Sequence, residues 1–75
     1  MRKRSVLLHG HATSVSMEDE YWAELKRMAG EAGLPLSALI ASIDERRPVN
    51  LSSALRLAVL ADLKAKLADA VVSAP

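Results

Sequence analysis

Ala12-Thr13-Ser14-Val15-Ser16-Met17, followed by Glu18-Asp19-Glu20-Tyr21-Trp22, is the stretch that decides the fold. Its first part alternates. Thr13, Val15 and Met17 fall on one face of an extended chain, and Ala12, Ser14 and Ser16 on the other. Small and β-branched residues make it a short, half-polar strand. No second strand is legible elsewhere in the chain. A lone strand leaves its N–H and C=O groups unpaired. The expected solution is pairing with the same strand of a second subunit. The acids that follow belong at a helix start, where the dipole favours negative charge, with Ser16 or Met17 as the cap. Trp22, Leu25, Met28, Ala29 and Ala32 then recur at helical spacing. Gly33 supplies a left-handed stop.

Downstream, Leu34-Pro35-Leu36-Ser37 opens a second helix, since proline is tolerated at a helix start. Its apolar stripe is Leu36, Leu39, Ile40 and Ile43. Asp44, Glu45, Arg46 and Arg47 make a solvated end, and Pro48 a stop. Asn50 caps a third helix that carries Leu51, Leu55, Ala58, Val59, Leu63 and Leu67 and runs to about residue 70. Upstream, Arg2, Lys3 and Arg4 begin a basic, flexible arm in which Gly10 permits a bend. The expected organisation is an arm over 1–11, a strand–helix–helix core over 12–48, and a C-terminal helix and tail over 49–75.

Seventy-five residues allow one small domain, which needs a staple or a partner for stability. There is no cysteine, so disulfides and thiolate metal sites are excluded. His9 and His11 are the only histidines, too few ligands for a metal site. Oligomerisation remains, and a hydrophobic content of 51% suits burial between subunits. No apolar run reaches membrane-spanning length. The basic start resembles a secretion signal only briefly, because its apolar run stops at Leu8. A cytoplasmic location is expected. No nucleophile–base set, phosphate-binding glycine loop or metal cluster is present, so neither an enzyme nor a cofactor is expected.

Thr13-Ser14-Val15-Ser16-Met17-Glu18, Tyr21-Trp22, Leu25, Ala29, Gly33-Leu34, Leu39-Ile40, Ile43-Asp44 and Asn50-Leu51-Ser52-Ser53-Ala54-Leu55-Arg56 resemble the short bacterial ribbon–helix–helix proteins. The likeness covers about residues 9 to 60. It implies a mainly α fold with one short β-strand, an intertwined homodimer with an additional C-terminal helix. Val15, Met17, Trp22, Leu25, Leu39, Ile40 and Ile43 would build the shared core. It also implies DNA binding in transcription regulation, with the two-stranded ribbon in the major groove.

The resemblance assigns base contact to Ala12, Ser14 and Ser16. Ala12 stands where similar family members often carry arginine, and it offers only a methyl group. Arg2, Lys3 and Arg4 would reach phosphates. The amides of Leu36 and Ser37 would hold a phosphate at the second helix, although Pro35 replaces the usual serine. Lys26 and Arg27 read as solubilising, and Arg56 as structural, either a partner of Asp44 or Glu45 or a cap on helix carbonyls. A dimer and a dimer of dimers both stay open. So do two alternatives: an antitoxin-like autoregulator holding a toxin on its C-terminal helix, and a dimeric protein-interaction module without sequence-specific DNA binding.

Overall fold

Arg2–Leu8, expected as a flexible arm, is a strand. The computed structural model describes residues 2–46 and 49–73, with side chains to residue 71. Its elements are β1 (Arg2–Leu8), β2 (His11–Met17), α1 (Asp19–Ala32), α2 (Leu36–Arg46) and α3 (Leu51–Ser73). β1 pairs antiparallel with β2, from Arg2 opposite Met17 to Leu8 opposite His11. The strand that seemed to lack a partner therefore finds one in its own chain.

The connection explains both the pairing and the missed expectation. Only His9 and Gly10 lie between the strands, and both have positive φ, 52° and 80°. Two such residues make the mirror-image turn whose twist matches a hairpin. Glycine takes this conformation without strain, and histidine is among the side chains that tolerate it. Asn-Gly or Asp-Gly would have announced the hairpin; His-Gly does not. In β1, Arg4, Val6 and Leu8 turn inward and Lys3, Ser5 and Leu7 outward. An arginine on the inner face hides that alternation.

The inner face of the hairpin covers the helices. Leu8, Val15 and Met17 join Trp22 and Leu25 of α1, Ile40 and Ile43 of α2, and Ala54, Leu55 and Val59 of α3 in one buried cluster. The side chains expected to form a core between subunits, Val15, Met17, Trp22, Leu25, Ile40 and Ile43, are thus buried within a single chain, with Leu39 half-buried beside them. α3 contributes the fully buried Leu55 and Val59, so it completes the core instead of standing outside it.

Helix ends follow local chemistry. The N-cap of α1 is Glu18, with no side-chain capping bond, in place of the expected Ser16 or Met17. Both of those are tied into the β2 ladder. At the other end Gly33 has φ 70°. The Leu34 amide donates to the Ala29 carbonyl at 2.9 Å and the Gly33 amide to the Gly30 carbonyl at 3.2 Å, the double closure of a left-handed helix stop. Asn50 caps α3 as expected, its Oδ1 accepting from the Ser53 amide at 2.9 Å. α3 runs on to Ser73, past the expected end. The stop expected at Pro48 lies outside the described residues.

Candidate nucleic-acid interface

The outward face of the hairpin follows from its register. Lys3 lies beside Ser16, Ser5 beside Ser14 and Leu7 beside Ala12. Of these, only Ser16 is half-buried; the rest are exposed. Ala12, Ser14 and Ser16 therefore do share the outer face, as expected. Lys3, Ser5 and Leu7, which had no place in a ribbon read from one strand, extend it. No carboxylate lies on this face. Its small side chains leave the backbone accessible to a closely approaching surface.

The basic run divides. Lys3 points outward and has no ion pair among the described residues. Arg4 turns inward. Its Nη2 donates to Asp19 Oδ1 at 2.8 Å, and its guanidinium lies 4.8 Å from the centre of the Trp22 ring. Stacking of this kind engages the cation with the ring quadrupole. Arg4 therefore fastens β1 to the start of α1, and its charge is already spent within the fold. Arg2 also approaches Asp19, at 3.9 Å, but stays well exposed.

Leu36 and Ser37 begin α2, the first half-buried and the second exposed. The helix proper is closed by the Pro35 carbonyl, which accepts from Ala38 at 3.0 Å and Leu39 at 3.2 Å. At the C-terminal end of α2, Asp44 and Glu45 approach His9 Nε2 at 4.0 and 3.8 Å. The hairpin turn is therefore near that end. Leu36 and Ser37 lie toward the opposite end, roughly 12 Å away along the axis. The fold does not gather them with the outer face at the turn.

Charged residues that looked merely solubilising fasten α3 to α1. Arg27 is half-buried and donates to Glu24 at 2.8 Å, Glu31 at 2.9 Å and Asp62 at 2.6 Å. Lys66 pairs with Glu31 at 2.8 Å. Lys26 is exposed, as expected. Arg56 pairs with Glu18, at 2.8 Å, and not with Asp44 or Glu45, and its guanidinium lies 5.8 Å from the Tyr21 ring centre. Arg27 pairs with Glu24 and Glu31 within α1 at helical spacing, whereas sequence spacing could not show Arg27–Asp62, Lys66–Glu31 or Arg56–Glu18, which tie α1 or its cap to a helix far along the chain. Hydrogen bonds from Lys66 and then Arg27 hold the Glu31 carboxyl below its usual range. A backbone hydrogen bond and then Arg56 do the same for Glu18.

Groups lowered in the folded state stabilise it above their unfolded pKa, and that contribution disappears as pH falls through the folded value. The protein should thus lose thermal stability progressively below the ordinary carboxylate range. Glu31→Gln should lessen that dependence. Thermal melts between neutral and strongly acidic pH check this; identical profiles for the two proteins would refute the assignment.

The order β2, α1, α2 agrees with the class of ribbon–helix–helix proteins. The chain matches the ribbon–helix–helix domain over residues 1–63, and it belongs to that family. Membership supports a general DNA-binding, regulatory function, and the domain is non-catalytic. No curated protein and no solved structure matches the chain. No helix among the described residues is long and apolar enough to cross a membrane.

Proposed function

We propose that this protein is a transcriptional regulator of the bacterial cytoplasm that binds DNA as a homodimer. The observation that carries this is the outer hairpin face, which combines Ser5, Ser14 and Ser16 with Lys3 and has no carboxylate. A two-stranded ribbon fits the major groove, and serine can donate to or accept from several base edges.

The dimer rests on the sheet edges. The sheet has two strands, so β2 has a strand partner on one side only. An open edge is a template for a further strand. β2 of a second copy, added antiparallel, makes the central ribbon. Ala12, Ser14 and Ser16 of both chains then face the bases. The β1 strands flank the ribbon along the groove walls, where Lys3 on the outer face meets phosphates, and the exposed Arg2 at the end of β1 reaches one from the inner side. Arg4, held by Asp19 and Trp22, contributes by positioning β1. Leu36 and Ser37 at the start of α2 supply a further phosphate contact from amides at a helix N-terminus. The reading of a protein partner on α3 is favoured by the exposed Leu57, Leu60 and Leu67.

The test is selection of bound duplexes from a random pool at two salt concentrations. The expected result is a sequence with two-fold related halves, bound more weakly as salt rises, with a log–log slope of about −0.9 per phosphate contacted. Absence of salt-sensitive binding to any duplex at low salt would sink the proposal.

A further inference from the structure

Among the outward residues of the hairpin ladder, Leu7 is the large apolar one, and it is 63% exposed. The turn fixes its neighbour. A connection of His9 and Gly10 alone makes Leu8 and His11 the hydrogen-bonded closing pair. Leu7 and Ala12 are then the next pair, of the kind without mutual hydrogen bonds, in which side chains approach most closely. The isobutyl group of Leu7 therefore stands beside the methyl of Ala12 and reaches beyond it. The rest of the face is polar, with Ser5 beside Ser14 and Lys3 beside Ser16. Lys3 is four residues from Leu7, about 13 Å along β1. Charge sits at one end of the face and an apolar step at the other.

Size decides what can cover that step. A leucine and an alanine fall far short of the roughly 800 Å² per partner of a stable protein interface. They match a much smaller target. On the base edges of the major groove the apolar group is the C5 methyl of thymine, and the rest are hydrogen-bond donors and acceptors. Setting Leu7 against one of those would strip its water and return no hydrogen bond. A face without carboxylates, with Lys3 unpaired among the described residues, can approach the phosphate-lined groove closely enough for such contact.

We propose that Leu7 reads the 5-methyl group of a thymine in the major groove, and so supplies from β1 the base contact for which Ala12 is too short. The inference rests on the DNA binding proposed above and adds a specificity-determining residue to it. It gives β1 a part in base reading beyond flanking the ribbon.

Fluorescence anisotropy on a duplex selected from a random pool tests it. Each thymine is exchanged in turn for deoxyuridine, which removes the methyl group and keeps the base pair and the phosphates. At the reading position the wild type should bind about fourfold more weakly, the worth of one buried methyl group. Leu7→Ala should bind the thymine duplex more weakly by at least as much, and should not distinguish it from the deoxyuridine duplex. Leu7→Ile, apolar and favoured in strands, should keep the distinction. Leu7 is exposed, so both variants should retain the thermal midpoint of the wild type. Salt-sensitive binding of equal strength to every exchanged duplex would overturn reading by Leu7 and leave DNA binding standing. So would a methyl effect that Leu7→Ala preserves in full, or a selected sequence with no thymine at any fixed position. Absence of salt-sensitive binding to any duplex would overturn both.

Discussion

Leu55→Ala is expected to remove about half of the stability of this domain. Leu55 is 0% exposed and packs in α3 against the same cluster as Met17, Leu25 and Ile40. Truncating such a leucine forfeits its transfer free energy and leaves a cavity, together about 2–5 kcal/mol. At about 0.05–0.15 kcal/mol per residue, a chain of this length has only roughly 4–11 kcal/mol in total. Leu67→Ala, twelve residues on in the same helix and 66% exposed, should change unit stability by no more than about 0.5 kcal/mol. Urea titrations followed by circular dichroism separate the two. Equal midpoints for Leu55→Ala and wild type would mean that α3 does not complete the core. The contrast matters because a single helix carries both residues, and only its first half is buried by its own chain.

Ser14→Glu is expected to weaken DNA binding on the order of 100-fold while leaving the fold intact. Each well-made base contact is worth about 1–3 kcal/mol, and a carboxylate directed at the groove adds repulsion from the phosphates. Ser14 sits at the middle of the outer face, exposed and opposite Ser5, so nothing in the core responds to the change. Surface changes of this kind alter stability by about 0.5 kcal/mol or less. Fluorescence anisotropy with a selected duplex and a thermal melt give the two readouts. Undiminished affinity with an unchanged melt would show that the outer hairpin face does not meet DNA. Ala12→Arg is the complementary change. It places on the same face the side chain best suited to guanine, and it should sharpen base preference at one position of each half-site.

The sites of error in reading the chain have a common cause. Lys26 and Arg27 adjoin in sequence, yet one is a solvated lysine and the other binds three carboxylates. Arg4 sits in a basic run that suggests phosphate contact, yet it covers Trp22. Arg56 was expected to bond the end of α2 and bonds Glu18 instead. A cation shows its charge in the sequence. Its local partners follow helical spacing, but its long-range partner is set by where helices distant in the chain come to lie.

Much was determined by local chemistry alone. β2, the extents of α1 and α2, the Gly33 stop and the Asn50 cap follow from alternation, helical periodicity and backbone groups satisfied within a few residues. They are physical consequences of neighbours in the chain, and the family motifs that span them agree. The membership of the core was legible for the same reason, since apolar faces must be buried somewhere. Where they are buried was decided only by tertiary structure. The His9-Gly10 turn folds Arg2–Leu8 back as β1, and α3 closes the other side of the cluster. The faces expected to meet across two subunits thus meet within one chain. Among the surfaces left open to a partner are the free edges of β1 and β2 and the apolar outer face of α3. Which faces bury one another depends on how the elements pack in three dimensions, and a one-dimensional pattern does not carry that information.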